Sequence, residues 1–366
     1  MTDIRVERMA QTIVNWSTGL KSGQLCLIQV EPAGFVLARQ VYRQALAAGA
    51  RPYVKTVYPE LDEILLREGT DDQVSFVTDT DRLEIEKIDA RVFIRAPENT
   101  RTLSGVDTAR LTLQRRSRQA VFNRMLERKG RGELAACLTQ YPTQASAQEA
   151  GMSLADYEGF VFRACFADQP DPVAAWRALS AEQQRYVDRL NAVRGIRVEG
   201  PGTDLKLSVA GRKWVNSDGK ANFPSGEVFT GPVEDSVEGR IYYDVPCPYA
   251  GHDVESIELQ FKAGKVVEAK AARGESYLNA TLDTDPGARI LGEFAFGLNY
   301  GIDRPTRNIL FDEKLGGTIH LAVGSGYPET GSTNRSSIHW DMIKDMKQGR
   351  VWADGSLIYE NGRFRV

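Results

Sequence analysis

Histidine is rare in this chain, and its positions are clustered. The 366 residues include three histidines, and two of them, His320 and His339, lie fewer than twenty positions apart. In the segment SIHWDMI, strand alternation would place His339 and Asp341 on one face and Trp340 on the other. A histidine and an aspartate two positions apart on a strand can bind the same ion.

Small side chains flank two further polar positions. In TIHLAVG, alternation places His320 on the same face as Ala322, so there is room beside the imidazole for a ligand. In LGEFAFGLN, Glu293 shares its face with Ala295 and Gly297, while the phenylalanines point to the opposite face. Both segments therefore present one metal-ligating side chain among small neighbours.

Glu227 is a further candidate ligand. It lies in NFPSGEVFTGP, where Pro224 and Gly226 predict a turn that delivers Glu227 to the start of a short strand. This segment alone does not name a partner for it.

The five residues together form a recognisable ligand set. Taken singly, each is more often a surface charge or a hydrogen-bonded side chain than a ligand. Two imidazoles and three carboxylates, without thiolates, are the nitrogen and oxygen donors that suit zinc, cobalt or manganese. Three carboxylates and a bridging hydroxide sum to a charge of about −4, which balances two divalent ions rather than one. The expected ligands are Glu227, Glu293, His320, His339 and Asp341.

The strands that must position these residues lie in the C-terminal half. TDLKLSVAG, GRIYYDVP, IELQFKAGKVVEAKA and TIHLAVG alternate with period two between Gly-rich or Pro-rich turns. They predict a mainly β, or α+β, metal-binding catalytic domain over residues 196–366.

The N-terminal half has a different pattern. A βαβ unit is predicted by three consecutive segments: LCLIQVE, then FVLARQVYRQALAAG ending on Gly49, then ARPYVKTVY. The segment ARVFIRAP predicts another strand of the same parallel sheet. From about Arg101 to Arg194 the pattern is helical, and the charged run RRSRQAVFNRMLERKGR is typical of a solvated helix face. The fold class is therefore α/β, with an N-terminal parallel-sheet domain over residues 1–195.

Composition excludes several classes of partner. The formal net charge of −3 supplies no basic excess for nucleic acid. The N-terminus lacks the pattern of a signal peptide, and no run of about 18 apolar residues could cross a membrane.

The four cysteines, Cys26, Cys137, Cys165 and Cys247, are too far apart for a CxxC pair, and they predict buried thiols in a cytoplasmic protein.

Four long motifs resemble one known family. The motifs occur in this order: NFPSGEVFTGP, GARILGEFAFGLN, FDEKLGGTIHLAVGSGY and SSIHWDMI. Through these motifs the chain closely resembles the aminopeptidase T family of thermophilic-type, leucyl aminopeptidase-like metallopeptidases. PGTDLKLSVAGRKW and, more loosely, QEAGMSLADYEGFV and DPVAAW extend the resemblance over most of the chain.

The resemblance implies a homodimeric, two-metal exopeptidase that acts on peptides with a free N-terminus. It places the ligands on the same five residues and a catalytic tyrosine on Tyr327, and the ions would be zinc, cobalt, manganese or magnesium. Ser225 stands where an acidic residue is expected in many relatives, a departure that bears on specificity.

Catalysis would require a proton carrier and an oxyanion donor. Glu293, or else Glu227, could carry the proton from the attacking water to the leaving amine, and Tyr327 could donate to the tetrahedral oxyanion. The other interpretation of Tyr327 is an aromatic lid on the substrate.

Two alternative functions remain open from the sequence. His320, His339 and Asp341 alone could form the two-histidine, one-carboxylate triad of a non-haem iron ring-cleaving dioxygenase, which is built on a related scaffold. A catalytically silent binding module is the other. The extra Glu227 and Glu293 argue against both, and the absence of GxSxG and HExxH removes the esterase and zincin interpretations. His252 is expected on a surface turn and Cys247 in a structural position.

Overall fold

The computed structural model describes residues 3–365, which form two compact units. The first unit comprises the chain up to Trp176 together with Gly219–Pro224, and the second comprises Arg177–Asp218 and the chain from Ser225 onward. The domain boundary expected near residue 195 stays a prediction. None of the helices described is both long and apolar enough to cross a membrane.

The described strands and helices alternate in the first half, and strands predominate in the second. The strands are β1 (Leu25–Val30), β2 (Arg51–Thr56), β3 (Ala90–Arg95), β4 (Ala135–Gln140), β5 (Gly195–Gly200), β6 (Thr203–Ser208), β7 (Val215–Ser217), β8 (Asn222–Phe223), β9 (Glu227–Thr230), β10 (Glu238–Tyr243), β11 (Glu255–Lys262), β12 (Lys265–Arg273), β13 (Leu291–Gly297), β14 (Thr318–Gly324), β15 (His339–Asp345), β16 (Arg350–Ala353), β17 (Ser356–Glu360) and β18 (Arg363–Phe364). The α-helices are α1 (Ile4–Thr12), α2 (Phe35–Ala47), α3 (Pro59–Glu68), α4 (Asp71–Ser75), α5 (Asp79–Lys87), α6 (Thr108–Gly130), α7 (Gln144–Glu149), α8 (Leu154–Ala164), α9 (Pro172–Leu190), α10 (Glu275–Leu282) and α11 (Ile309–Asp312).

The first unit is built on a parallel sheet. Its strand order is β2-β1-β3-β4-β8, and each neighbouring pair is parallel. The predicted βαβ unit is confirmed as β1, α2 and β2, because β1 and β2 pair in parallel on either side of α2 in the chain. Apolar β1 residues such as Cys26 and Ile28 are fully buried. Helix α6 carries the arginine-rich run, and only Gln114 and Arg128 of its residues are buried, as a solvated helix requires.

One prediction for this half is wrong. The region from Arg101 to Arg194 is not wholly helical, because Ala135–Gln140 forms β4, which pairs with β3 and β8. The strand is short and contains two alanines, so neither periodicity nor β propensity distinguishes it from the surrounding helices.

The second unit contains two mainly antiparallel sheets that share one core. The larger has the order β12-β11-β10-β6-β5-β16-β17-β18, and the smaller has the order β15-β14-β13-β9-β7. Side chains from both sheets, including Leu259 and Val351 from the larger and Phe296 and Met342 from the smaller, belong to the same hydrophobic cluster. The α/β first half and mainly β second half confirm the predicted fold class.

The register of the smaller sheet brings the candidate ligands into one region. Ala295 on β13 lies opposite His320 on β14, and Ala322 on β14 lies opposite both Glu293 and Asp341. Glu227 opens β9, directly opposite Gly297. Four strands that are distant in sequence thus deliver their polar residues to adjacent positions.

Candidate metal centre

The candidate ligands lie on the face of the smaller sheet opposite its core. On β13, Phe294 and Phe296 enter the core, and Phe296 packs against Phe294 with ring centroids 5.3 Å apart. Glu293 alternates with them and is 4% exposed, and His320 on β14 is 1% exposed. The strand alternation predicted from the sequence is therefore confirmed for both residues.

Four short distances join the cluster into two sets. The Nε2 atom of His320 lies 3.4 Å from Glu227 Oε2 and 3.5 Å from Glu293 Oε1. The Nε2 atom of His339 lies 3.3 Å from Glu293 Oε2 and 3.5 Å from Asp341 Oδ1. Glu293 belongs to both sets, with one oxygen facing each imidazole.

The orientation of His339 is fixed by the main chain. Its Nδ1 lies 2.7 Å from the carbonyl oxygen of Ser325. Because a carbonyl oxygen can only accept, Nδ1 carries a hydrogen, and in the neutral ring the lone pair is therefore on Nε2, the nitrogen that faces Glu293 and Asp341. A backbone carbonyl behind a histidine is the usual way in which a metal-binding tautomer is selected.

A bulge places Glu293 on the polar face. The register between β13 and β14 shifts between Leu291 and Glu293, so Leu291 remains in the core although it is two residues from Glu293. Gly292 lies at this bulge, where a Cβ would stand 2.5 Å from the Gly324 oxygen and 2.6 Å from the Ser325 oxygen. Only glycine allows the strands to approach this closely.

Glu227 is held by its backbone. Its carbonyl oxygen accepts a hydrogen bond from Gln183 Nε2 at 2.8 Å. The preceding Gly226 has a φ of +117°, and a Cβ there would stand 2.7 Å from Asn299 Cβ. The strand start predicted at Glu227 is confirmed, and it requires glycine before it.

The pKa values of the three carboxylates in the cluster shift in different directions. Burial raises the pKa of Glu227. Burial opposes ionisation of Glu293 as well, but the contacts with His320 and His339 outweigh it and lower the pKa of Glu293. Burial also opposes ionisation of Asp341, but the interaction with His339 outweighs burial and lowers the pKa of Asp341 to about 2.

The imidazoles respond in the opposite direction. Burial favours the neutral ring of His320, yet Glu293 and Glu227 raise its pKa. Burial likewise disfavours charge on His339, while Asp341 and Glu293 raise its pKa well above the ordinary value. In the absence of metal, protons thus take the place of cations between these imidazoles and carboxylates.

Tyr327 lies at the rim of the cluster. Its ring centroid is 5.1 Å from that of His339 and 5.3 Å from that of Phe229, and 39% of the residue is exposed. Partial burial and the carboxylates of Glu293 and Asp341 raise the pKa of its hydroxyl, so the hydroxyl keeps its proton at neutral pH. It can therefore act as a hydrogen-bond donor.

Two charged residues beside the cluster were not predicted from the sequence. Lys314 is fully buried, with its Nζ 3.7 Å from Glu227 Oε1, and it forms an ion pair with Glu313. Donor atoms of Glu313, His320 and Asp341 lie within 4.8 Å of one another. The one signal in the sequence is the adjacent Glu and Lys in FDEKLGG, just before the strand that carries His320.

Three other residues considered from sequence lie outside the ligand sets. The ring of His252 stacks on Tyr277 at a centroid distance of 4.0 Å. Cys247 is a buried free thiol that accepts a hydrogen bond from the Ile343 amide. Ser225 is fully buried, and its hydroxyl donates to the Ser217 carbonyl at 2.9 Å.

The chain is similar to proteins of a known family over nearly all of its length. The thermophilic metalloprotease family (M29) matches residues 2–364. The chain belongs to this family. This membership confirms the resemblance to aminopeptidase T found in the sequence motifs.

Named relatives are similar over different lengths. Aminopeptidase T of Thermus thermophilus is 38% identical over 46% of this chain and 45% of its own length. Aminopeptidase AmpS of Bacillus subtilis is 32% identical over 56% and 58%, so the chain spans about half the length of each of these two relatives. Aminopeptidase 2 of Geobacillus stearothermophilus is 29% identical over 97% of this chain and 98% of its own.

A solved structure has the same fold. Wild-type AmpT from Thermus thermophilus aligns over 99% of both chains with a TM-score of 0.86 and 24% sequence identity. The two chains therefore share one fold.

The residues of the cluster fit the divalent ions that a metalloprotease requires. Two donors bound tetrahedrally to one zinc ion at 2.0–2.1 Å lie roughly 3.4 Å apart, and the four distances between paired donors here are 3.3–3.5 Å. Within residues 3–365, Glu227 Oε2 and Asp341 Oδ1 are buried without a hydrogen-bond partner. Since unpaired buried carboxylate oxygens are costly, a cation at these positions would stabilise them.

Proposed function

We propose that this chain is an aminopeptidase that removes N-terminal residues from peptides with the aid of two divalent metal ions. Membership of a metalloprotease family supports metal-dependent peptide hydrolysis. The division of Glu293 between two imidazoles, with Oε1 toward His320 and Oε2 toward His339, is the observation that supports two ions rather than one.

Each ion would have its own ligands and share one. Glu227, His320 and Glu293 would hold the first, and Glu293, His339 and Asp341 would hold the second, because each set has three donors within 4.8 Å of one another. This nitrogen and oxygen set suits zinc, cobalt or manganese, and magnesium is also accommodated by carboxylates.

The chain's own residues would position and move protons. When bound, divalent ions lower the pKa of a water molecule and polarise a scissile carbonyl. Glu293, or else Glu227, would take the proton of the attacking water and return it to the leaving amine. The buried walls of the cluster exclude bulk water and strengthen these interactions.

Tyr327 would stabilise the oxyanion. It keeps its proton because burial and the neighbouring carboxylates raise its pKa, and its ring is fixed between Phe229 and His339. A preorganised hydroxyl donor of this kind acts where negative charge develops.

The proposal extends to the substrate, the oligomeric state and the cellular compartment. Peptides with a free N-terminus are the proposed substrates, and we infer a homodimer from the family resemblance. All four cysteines are free and buried, which agrees with a reducing, cytoplasmic environment.

The decisive experiment is metal replacement. Protein stripped with chelator and refilled separately with zinc, cobalt, manganese, magnesium or ferrous iron would be assayed on aminoacyl p-nitroanilides and short peptides. We expect metal-dependent release of N-terminal residues, with about two ions bound per chain. Hydrolysis that is unaffected by chelation, or no hydrolysis with any of these ions, would refute the proposal.

A further inference from the structure

Glu313 and Lys314 lie beside the candidate metal centre but are not among its five proposed ligands. The Lys314 side chain is fully buried and that of Glu313 is 14% exposed, and the two form an ion pair. Lys314 Nζ also lies 3.7 Å from Glu227 Oε1. The ammonium thus stands between two carboxylates at the edge of the candidate metal centre.

Glu313 is itself a competent ligand by position. Its donor atom lies within 4.8 Å of donor atoms of His320 and Asp341, the same closeness that defines the two proposed ligand sets. A fourth carboxylate this close to two divalent ions would be expected to bind them unless another cation neutralised it. Lys314 is such a cation, because its ammonium group forms an ion pair with Glu313.

The backbone fixes the direction of the lysine. The Lys314 amide donates to the Phe311 carbonyl at 3.0 Å, and the Lys314 carbonyl accepts from the Asn299 amide at 3.1 Å. With both main-chain groups bonded and the side chain buried, the ammonium has little freedom to leave the two carboxylates.

We propose that Lys314 holds Glu313, and the Oε1 atom of Glu227, away from the metal ions, and so preserves an open coordination position for water and substrate. The inference rests on the proposed two-metal function. Catalytic metal sites keep such a position, whereas structural sites are closed by protein ligands. Glu227 Oε2, which faces His320 instead of the lysine, remains free to bind.

The charge balance agrees with this role. Three carboxylates and a hydroxide balance two divalent ions, and a fourth carboxylate would make the centre anionic. Lys314 neutralises Glu313 without removing it. Lys314 is a positioning residue, since it acts through the two glutamates.

The test is the variant Lys314→Met, examined with zinc and cobalt. Released from the ammonium, Glu313 should bind the ions, so metal affinity measured by competition with a chelator should rise by on the order of tenfold or more, a gain of at least about 1.4 kcal/mol. The number of oxygen and nitrogen ligands, measured by X-ray absorption at the metal, should increase, while turnover on an aminoacyl p-nitroanilide falls. In the double variant Glu313→Gln/Lys314→Met, the ligand that Glu313 contributes should be lost again.

Two outcomes would overturn the inference. Unchanged or weaker metal binding in Lys314→Met would mean that the lysine does not compete with the ions. Tighter binding without an added ligand would reduce its role to a distant charge effect.

A second variant covers the case in which Lys314→Met does not fold. Glu313→Gln removes only the partner, so the ammonium would turn to Glu227 and weaken metal binding, and unchanged binding would contradict the inference. A wild-type chain that binds no divalent ion would instead refute the proposed function, which separates the two failures.

Discussion

The carbonyl oxygen of Ser325 accepts the Nδ1 hydrogen of His339 at 2.7 Å, and Gly292 lies against the same carbonyl. A single main-chain oxygen thus links the bulge of β13 to the orientation of a candidate metal ligand. The contact is tight enough for a change at Gly292 to reach His339 through Ser325.

Gly292→Ala is expected to weaken metal binding. The new methyl would stand 2.6 Å from the Ser325 oxygen and displace it, so His339 would lose the partner that fixes its tautomer. We expect metal affinity to fall by roughly 10-fold to 100-fold in a chelator competition. Gly159→Ala is the matched control and should bind metal normally, because a Cβ at Gly159 would meet no described residue beyond its own helix within 4 Å.

Glu293→Gln is expected to abolish turnover while the chain remains folded. The amide cannot carry the proton and cannot offer an anionic oxygen to each imidazole, so both ligand sets are weakened at once. Metal analysis after dialysis should find fewer bound ions than in wild type. Glu268→Gln on an exposed part of β12 should change neither property, and full activity of Glu293→Gln would exclude its proposed role.

Tyr327→Phe is expected to lower kcat more than it raises KM. Loss of one oxyanion donor typically reduces kcat by about 10² to 10³. The ring would still pack between Phe229 and His339, so metal content and thermal stability should not change. An effect on KM alone would favour the lid interpretation of this residue.

The metal-free chain is expected to lose stability as the pH rises above neutrality. Burial opposes the charged ring of His339, but Asp341 and Glu293 raise its pKa well above 6.5 in the folded state. Folding therefore favours the proton, and this stabilisation is full below the ordinary imidazole pKa of about 6.5 and is lost as pH rises through the folded-state pKa. Thermal unfolding of chelated protein across this range would measure it, and His339→Gln should flatten the dependence.

Phe296→Ala is expected to destabilise the second unit through its core. Phe296 is fully buried and contacts Trp214, Phe294 and Tyr359. Truncation should cost about 3–5 kcal/mol in denaturant unfolding, and Phe296→Leu should cost less. A loss below about 1 kcal/mol would mean that the surrounding rings close the cavity.

Strand alternation predicted much of the candidate site because the ligands lie on regular strands. His320 and Asp341 alternate with buried apolar residues in the sequence, and the sheet preserves that pattern. Glu313 and Lys314 follow a short helix and precede β14, where no period relates a residue to a face. Their proximity depends on tertiary contacts of the turn with Asn299.

The bulge at Gly292 and strand β4 were not predicted for different reasons. A bulge changes which residues oppose each other without changing composition, so LGEFAFG has the same appearance with or without it. Strand β4 is short, and its Ala-rich sequence is compatible with a helix until pairing with β3 decides the outcome.

The two faces of the smaller sheet have different tasks. Phe294, Phe296, Leu321 and Met342 hold the fold from one side, and the candidate ligands occupy alternate positions on the other. A mutation at a ligand position therefore alters chemistry while most of the buried apolar surface is left in place. Variants at the ligand positions can therefore be compared within one folded scaffold whose core is unchanged.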